Sequence, residues 1–191
     1  MKIKDFLKSG HSPTLFMAFF YFWTSFVVWV LLGVLGVSIA EDFGLSVSQK
    51  GLLAAIPILG GALIRIPLGL LVDHSGAKRT GIICQWITLV PLFGIWLWGD
   101  HFTVLMISGF FLGIAGGSFT VSMPLASGWY PAKFQGMALG LVGAGTSGSA
   151  LASLVMPRLA EIVGWRNVFG MAVVPMVLTL VAFTLFVKES P

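Results

Sequence analysis

Arg65 is a permanently charged side chain inside an otherwise apolar run, between Gly60 and the charged segment that ends at Arg79. Its guanidinium carries a planar fork of N–H donors that can bond two oxygen atoms in one plane. An arginine at the centre of a bilayer costs about 2.5–3.5 kcal/mol on insertion scales, so such residues usually face a bundle interior or a wet cavity. These properties suit the binding of a small planar oxyanion.

Arg65 has no carboxylate within the apolar runs to neutralise it, because every acidic residue falls in a loop or at the end of a run. A mobile anion and backbone carbonyls remain as partners. The alternative is that the side chain extends to the headgroups, about five to seven residues away. The acidic residues are Asp5, Glu41, Asp42, Asp73, Asp100, Glu161 and Glu189.

Residues 118–122 hold side chains that could complete an anion site. Phe119 could supply an aromatic wall, and Ser118, Thr120 and Ser122 could supply hydroxyl donors. A phenylalanine in a membrane helix is more often a packing residue. The residue types of this segment therefore leave packing and binding open as roles.

No pattern in the sequence indicates an enzyme, a metal site or a cofactor. There is no glycine-rich phosphate loop ending in Lys-Ser or Lys-Thr, and no Ser/His/Asp set at a shared depth. Cys84 is the single cysteine, which excludes an internal disulfide and a cysteine-based metal site. His11, His74 and His101 lie outside the apolar runs, and this favours exchange or facilitated movement over proton symport.

The elements that must position Arg65 are membrane helices. Apolar residues make up 57% of the chain and charged residues only 9%, far below the roughly 25% charged that is usual in soluble domains. The net charge of +4 is small and its basic residues are scattered, so nucleic-acid binding has no support. The N-terminal segment is basic but lacks a small-residue cleavage site, and we expect a retained first span.

Six apolar segments are long enough to cross a bilayer, which takes about 20 residues in a helix. We therefore predict an all-α integral membrane protein in which residues 1–191 form a single six-helix transmembrane bundle. Consecutive helices should be antiparallel neighbours because the connections are short. The predicted spans are residues 15–39, 50–72, 80–98, 102–127, 134–157 and 166–187.

The distribution of Lys and Arg predicts that both termini are cytoplasmic, because basic residues concentrate on the inner side of a membrane. The predicted inner side has more than twice as many basic residues as the outer side. The inner residues are Lys2, Lys4, Lys8, Lys78, Arg79, Lys133 and Lys188, and the outer residues are Lys50, Arg158 and Arg166.

Small residues recur every four positions in predicted spans four and five. This spacing places them on one helix face and lets helices approach closely. A second interpretation is that some glycines leave backbone amides exposed to a ligand. The residues are Gly109, Gly113 and Gly117 in span four, and Gly136, Gly140, Ala144, Gly148 and Ala152 in span five.

Residues 69–79 resemble the loop between spans two and three of the major facilitator superfamily. The resemblance rests on Gly69, Asp73, Gly76, Lys78 and Arg79. It implies that the aspartate and the basic residues form a cytoplasmic charge network that steadies one end of alternating access. Other positions of the loop, where the family often has further basic residues, hold His74 and Ala77.

A second set of motifs resembles the nitrate/nitrite porter branch of that superfamily. The resemblance implies that Arg65 is the substrate arginine of span two and that Phe119 is the aromatic side chain that sandwiches the planar anion. The motifs are Gly116-Gly117-Ser118-Phe119, Met123-Pro124, Trp129-Tyr130-Pro131, Gln135-Gly136 and Gly143-Ala144-Gly145.

Residues 136–148 match the nitrate-signature segment of span five in the same family. Gly143 and Gly145 belong to this segment, and family members usually carry Asn where Thr146 stands. The candidate substrate-binding set is therefore Arg65, Ser118, Phe119, Ser122, Gly143, Gly145 and Thr146.

The family has twelve spans in two halves with the site between them, and this sequence resembles the N-terminal half. The second half could be another copy, a separate polypeptide or absent, and a homodimer would place two copies of Arg65 face to face. We expect one half of a nitrate or nitrite transporter that works by alternating access in a bacterial or archaeal plasma membrane, in contact with lipid. The alternatives are a non-transporting anion-binding subunit or sensor, and a carrier of another small anion.

Overall fold

The computed structural model describes the backbone of residues 3–189 and the side chains of residues 4–189. Lys2, which the orientation argument above uses, lies outside these residues. The described part is entirely helical and contains ten α-helices, one short 3₁₀ segment and no strand. The α-helices are α1 (Ile3–Lys8), α2 (Ser12–Val34), α3 (Gly36–Phe43), α4 (Val47–Ser75), α5 (Ala77–Trp98), α6 (Phe102–Gly116), α7 (Ser118–Ser127), α8 (Ala132–Gly143), α9 (Ser147–Val163) and α10 (Trp165–Phe186), and the 3₁₀ segment is Ala144–Thr146.

Helices α2–α10 form six continuous segments that are long and apolar enough to cross a membrane, and α1 precedes them. Three spans combine two helices each: span one contains α2 and α3, span four contains α6 and α7, and span five contains α8, the 3₁₀ segment and α9. The all-α, six-span prediction is confirmed, whereas the cytoplasmic placement of the termini stays a prediction. The spans are Ser12–Phe43, Val47–Ser75, Ala77–Trp98, Phe102–Ser127, Ala132–Val163 and Trp165–Phe186.

Local sequence signals define where several spans begin and end. Span two begins with a capping box, in which the Ser46 hydroxyl accepts from the Gln49 N–H and the Gln49 side chain accepts from the Ser46 N–H. Gly76 and Gly164 separate consecutive spans at φ 84° and 83°. Side chains other than glycine rarely adopt that conformation, so both tight turns depend on glycine.

The buried core divides into two large clusters that occupy opposite ends of the bundle. We call the end with residues 3–11 and 187–189 the terminal end, and the opposite end the far end. Apolar side chains such as Leu31, Leu92 and Phe169 fill the cluster at the far end. The cluster at the terminal end is more aromatic and includes Tyr21 and Phe183.

Spans two and four cross at glycines. A β-carbon on Gly113 would lie 2.5 Å from the carbonyl carbon of Gly60 and 2.7 Å from the carbonyl oxygen of Pro57. A β-carbon on Gly109 would lie 2.6 Å from Leu32 Cδ1. The glycines of span four therefore allow close contact within the chain.

The glycine positions at the start of span five face open space. A β-carbon on Gly136 or Gly140 would meet nothing within 4 Å, whereas one on Gly148 would collide with the Trp23 backbone. Spans two and five are also the least covered of the six: 22% of an 18-residue apolar window is buried in each, against 44–61% in the other spans. These two spans thus leave broad faces uncovered by the described chain.

Candidate functional site

Arg65 lies on the uncovered face of span two. Its side chain is exposed, as are its neighbours Ile66 and Pro67. It forms no salt bridge or side-chain hydrogen bond with a described residue, and the salt bridge of this part of the chain joins Arg166 to Asp100 at the far end. The guanidinium fork is therefore available to a group from outside the chain.

Arg65 and Phe119 lie at similar depths on two neighbouring spans, two and four. Ile64, the residue before Arg65, is 3.4 Å from the β-carbon position of Gly117. One turn along, Thr120 Cγ2 is 3.9 Å from the β-carbon position of Gly69. Phe119 stands between these two contacts on span four and is 51% exposed, so an exposed cation and an exposed aromatic ring occur at similar depths on neighbouring spans.

Phe22 of span one links Phe119 to the signature segment of span five. The rings of Phe22 and Phe119 have centroids 6.0 Å apart at 59°. A β-carbon on Gly145 would lie 2.8 Å from Phe22 Cδ1 and 3.2 Å from the Trp23 nitrogen. The sequence did not single out Phe22, because span one contains several phenylalanines and spacing does not distinguish it from them.

The three candidate residues of span five differ in exposure. Gly143 is half-buried, Gly145 is buried and Thr146 is exposed. Gly143 directly precedes the 3₁₀ segment, and Gly145 and Thr146 lie within it, where the α-helical hydrogen-bond pattern is interrupted. The Thr146 hydroxyl donates to the Gly143 carbonyl at 3.0 Å, so its proton is already engaged in this conformation.

Ser118 and Ser122 do not share the exposed face of Phe119. Both side chains are 0% exposed, and neither hydroxyl has a hydrogen-bond partner among the described residues. Ser118 and Ser122 are four residues apart and therefore share one helix face. At about 100° per residue, that face is turned by roughly 80° from the direction of Phe119. In this conformation the two hydroxyls are buried inside the bundle, away from the exposed surface.

The candidate gate residues surround the turn between spans two and three. Gly69 lies near Thr120 in span four, and Gly76 forms the turn itself. The side chains of Asp73 and Arg79 are exposed and Lys78 is half-buried. No salt bridge joins any of these residues to a described partner.

Glu189 binds the start of span three, a contact that the sequence did not indicate. Its carboxylate accepts from the Ala77 N–H at 2.7 Å and from the Lys78 N–H at 3.0 Å. Gly76 precedes this helix and has no side chain to cap it, and a carboxylate at a helix N-terminus is stabilising. The one signal in the sequence for this contact was that span three begins without a side chain that could cap it.

The sequence matches the family described as the Major Facilitator Superfamily over residues 14–191. The "Nitrite extrusion protein" of Bacillus subtilis is 34% identical over 161 residues, which is 84% of this chain and 40% of that protein. The "Probable nitrate/nitrite transporter NarK2" of Mycobacterium tuberculosis strain H37Rv is 31% identical over 184 residues, 95% of this chain and 47% of that protein. The chain thus spans less than half the length of these two relatives.

A solved structure has the same arrangement of helices. The crystal structure of a bacterial homologue of the human lysosomal transporter Spinster, in an inward-facing and occupied conformation, superposes with a TM-score of 0.79. Sequence identity is 20%, and the match covers 93% of this chain and 44% of that one. At this identity the likeness concerns the fold.

Proposed function

The chain belongs to the Major Facilitator Superfamily, and we propose that it forms one six-span half of a transporter for small planar oxyanions, with nitrate and nitrite as substrates. Two relatives that share about a third of its residues are named for nitrite extrusion and for nitrate/nitrite transport. Transport by alternating access is the activity that this half would support once a second half covers its open face.

The observation that supports the proposal is that Arg65 and Phe119 are both exposed, at similar depths on neighbouring spans. Arg65 can hold two oxygens of a planar anion through its guanidinium fork. Phe119, at a similar depth, presents a flat apolar surface that suits the face of such an anion. Gly143, Gly145 and Thr146 lie at the level of Phe22 and would line the adjoining wall. Ser118 and Ser122 would join the site only if α7 rotates during the transport cycle.

We further propose that the second half is another copy of this chain. Spans two and five have broad uncovered faces, and Gly136 and Gly140 on span five allow a neighbouring helix to approach closely. A two-fold axis along the membrane normal would place Arg65 of each copy across one cavity. Two facing guanidinium groups repel each other, and an anion between them would remove that repulsion.

The turn between spans two and three would serve as a gate at the terminal end. Gly69 allows span two to pass close to Thr120, and Gly76 forms the turn. The side chains of Asp73, Lys78 and Arg79 would form charge contacts with the second half when that end closes, because none of them forms a salt bridge within the described chain.

The test is nitrate and nitrite uptake into liposomes that contain the purified protein, together with its mass in detergent. Arg65→Gln should reduce uptake at least about tenfold, since a hydrogen bond to a charged group is worth about 1.5–3 kcal/mol. Arg65→Lys keeps the charge but loses the fork and should retain part of the activity. Arg158→Gln, an exposed arginine of span five, is the matched control and should transport normally.

Three outcomes would overturn parts of the proposal. Saturable nitrate binding without flux would indicate an anion-binding subunit or sensor. Stronger competition by an organic anion than by nitrate or nitrite would indicate a different substrate. A monomer by mass that does not transport would exclude pairing with a second copy, and restored uptake on adding a separate six-span polypeptide would identify that partner instead.

A further inference from the structure

Five buried polar side-chain atoms of spans one, three and four lack a hydrogen-bond partner of good geometry in the described chain, although the Tyr21 hydroxyl lies within reach of Ser25 and Cys84. Each of the five side chains has at most 1% of its surface exposed. An unpaired buried polar group costs about 1–3 kcal/mol, so these five atoms need an explanation. The atoms are Tyr21 Oη, Ser25 Oγ, Gln85 Oε1, Ser118 Oγ and Ser122 Oγ.

The residues of spans one and four lie at matching depths. Near one end of this contact, the Trp29 indole packs against Gly116, whose β-carbon position is 2.7 Å from Nε1. Further along, the rings of Phe22 and Phe119 are 6.0 Å apart. The two spans are antiparallel, so Ser25 falls opposite Ser118 and Tyr21 opposite Ser122. Each pair is separated by four residues, which places both members on one helix face.

Span three brings Gln85 to the same level. A β-carbon on Gly81 would lie 3.0 Å from Val121 Cγ1 in span four and 2.9 Å from Phe183 Cζ in span six. The ring of Phe183 is in turn 5.2 Å from that of Tyr21. Gln85, one turn after Gly81, therefore lies at the depth of the four hydroxyls, and Cys84 beside it neighbours the Tyr21 hydroxyl.

The chemistry of this cluster fits water. Gln85 Nε2 donates to the Gly81 carbonyl at 3.2 Å, which leaves Oε1 as an acceptor, and the other four groups are hydroxyls that can donate or accept. The cluster has no charged group, and no set of metal-binding side chains occurs in the described part of the chain. Span four is also interrupted at Gly117, beside Ser118, and helix breaks are places where water inserts.

We propose that these residues form an internal site for ordered water that joins spans one, three and four behind Phe119. Buried waters typically make about three hydrogen bonds to groups that would otherwise be unpaired. Such water would hold α7, the helix that carries Phe119, against spans one and three. This site is separate from the exposed Arg65 face, and it does not depend on the identity of a transported substrate.

The experiment is brief X-ray radiolysis of the full chain in lipid nanodiscs, followed by mass spectrometry of peptides. Hydroxyl radicals formed from bound water oxidise the side chains next to it. Tyr21 and Cys84 should be oxidised although they are buried, and the added oxygen should come from ¹⁸O-labelled water after prolonged exchange. Met176 is the control, because it is 0% exposed in an apolar cluster and methionine is readily oxidised.

Variants test whether the hydroxyls hold the water. The double variant Ser118→Ala and Ser122→Ala should lower Tyr21 oxidation about threefold, since the water loses two of its roughly three partners. Ser153→Ala is the matched control, because its hydroxyl already donates to the Ser149 carbonyl at 2.9 Å. If the double variant does not fold, the wild-type measurement alone decides whether the proposal holds.

Equal oxidation of Tyr21 and Met176 in the wild type, or no incorporation of ¹⁸O at Tyr21, would overturn the proposal. A melting temperature that rises when sodium replaces potassium, without oxidation at Tyr21, would identify a cation in place of water and would also overturn it. Loss of Tyr21 oxidation in the double variant but not in Ser153→Ala would support it, whatever the transport assay shows.

Discussion

The Trp29 indole donates a hydrogen bond from Nε1 to the carbonyl oxygen of Pro57, at 3.0 Å. The same ring packs against Gly116 and Gly61. The β-carbon position of Gly116 is 2.6 Å from Trp29 Cε2, and the β-carbon position of Gly61 is 3.4 Å from Trp29 Nε1. One side chain of span one therefore contacts spans two and four at the level where those spans cross. Arg65 follows Gly61 by four residues and Phe119 follows Gly116 by three, so both exposed side chains lie about one turn beyond this three-span contact.

Replacing Trp29 with phenylalanine should lower the free energy of unfolding by about 1 kcal/mol. Hydrogen bonds between membrane helices average about 0.6 kcal/mol with a maximum near 1.7, and the smaller ring also leaves part of the space beside Gly116 empty. Unfolding in mixed micelles, followed as SDS is added, measures the change. Trp98→Phe is the matched control, since Trp98 is exposed, and an equal loss in both variants would contradict a special role for Trp29.

Adding one methyl group to span four at Gly113 should destabilise the isolated chain. The new β-carbon would meet backbone atoms of Gly60 and Pro57, which cannot move aside as a flexible side chain can. Overpacking of this kind costs about 1–3 kcal/mol. Gly113→Ala should therefore lower the melting temperature measured by intrinsic fluorescence in detergent.

Gly140→Ala is the control for Gly113→Ala and also a test of assembly. Nothing lies within 4 Å of the added β-carbon, and alanine favours helix by up to about 1 kcal/mol over glycine, so the monomer should be unchanged or slightly more stable. Gly140→Leu should instead reduce the oligomer fraction seen by native mass spectrometry. An oligomer that tolerates leucine at this position would place its interface elsewhere.

The fold could be predicted from the sequence because membrane spans are encoded in long local stretches. About 20 consecutive apolar residues determine a span with little help from tertiary contacts. The internal breaks in spans four and five were less visible, since Gly117 and the segment Ala144–Thr146 lie inside apolar runs without any charge or proline to mark them. Each predicted span was continuous, whereas two of them contain an interruption at the candidate site.

The candidate site was only partly predictable because exposure depends on the other helices. Arg65 stood out as a charge in an apolar run, and it lies on an uncovered face. The same reasoning grouped Ser118 and Ser122 with Phe119, although a helix turns neighbouring residues in different directions. Phe22 and Glu189 act through contacts with residues about 100 positions away in sequence. No local sequence pattern predicts such contacts.

The Glu189 carboxylate should stabilise the terminal end by capping span three. Glu189→Gln removes the negative charge that accepts from Ala77 N and Lys78 N. An anion at a helix N-terminus contributes about 0.3–1 kcal/mol when exposed, so a loss of that size is expected. Hydrogen exchange at the first turn of span three should rise at the same time. Glu161→Gln, an exposed glutamate at the other end of the bundle, should change neither measurement.

Protonation of His11 should destabilise the terminal end at acidic pH. The His11 ring nitrogen Nδ1 accepts from the Thr14 N–H at 3.3 Å and lies 2.8 Å from the Thr14 hydroxyl. That hydroxyl oxygen accepts from the Lys188 N–H at 3.0 Å. A protonated imidazole has donors only, so it cannot cap span one in this way.

The direction of the pH effect follows from the pKa of His11, which burial lowers below the usual 6.5 and the charge of Lys188 lowers further. Between the lowered pKa and about 6.5, the unfolded chain binds a proton that the folded chain does not. The free energy of unfolding should therefore fall as pH falls below 6.5, and it should be insensitive to His11 above that pH. Melting temperatures at a series of pH values measure this slope. The slope should flatten in His11→Gln and persist in His101→Gln, an exposed histidine at the far end. If wild type and His11→Gln lost stability in parallel between pH 7 and 5, another group would have to be responsible.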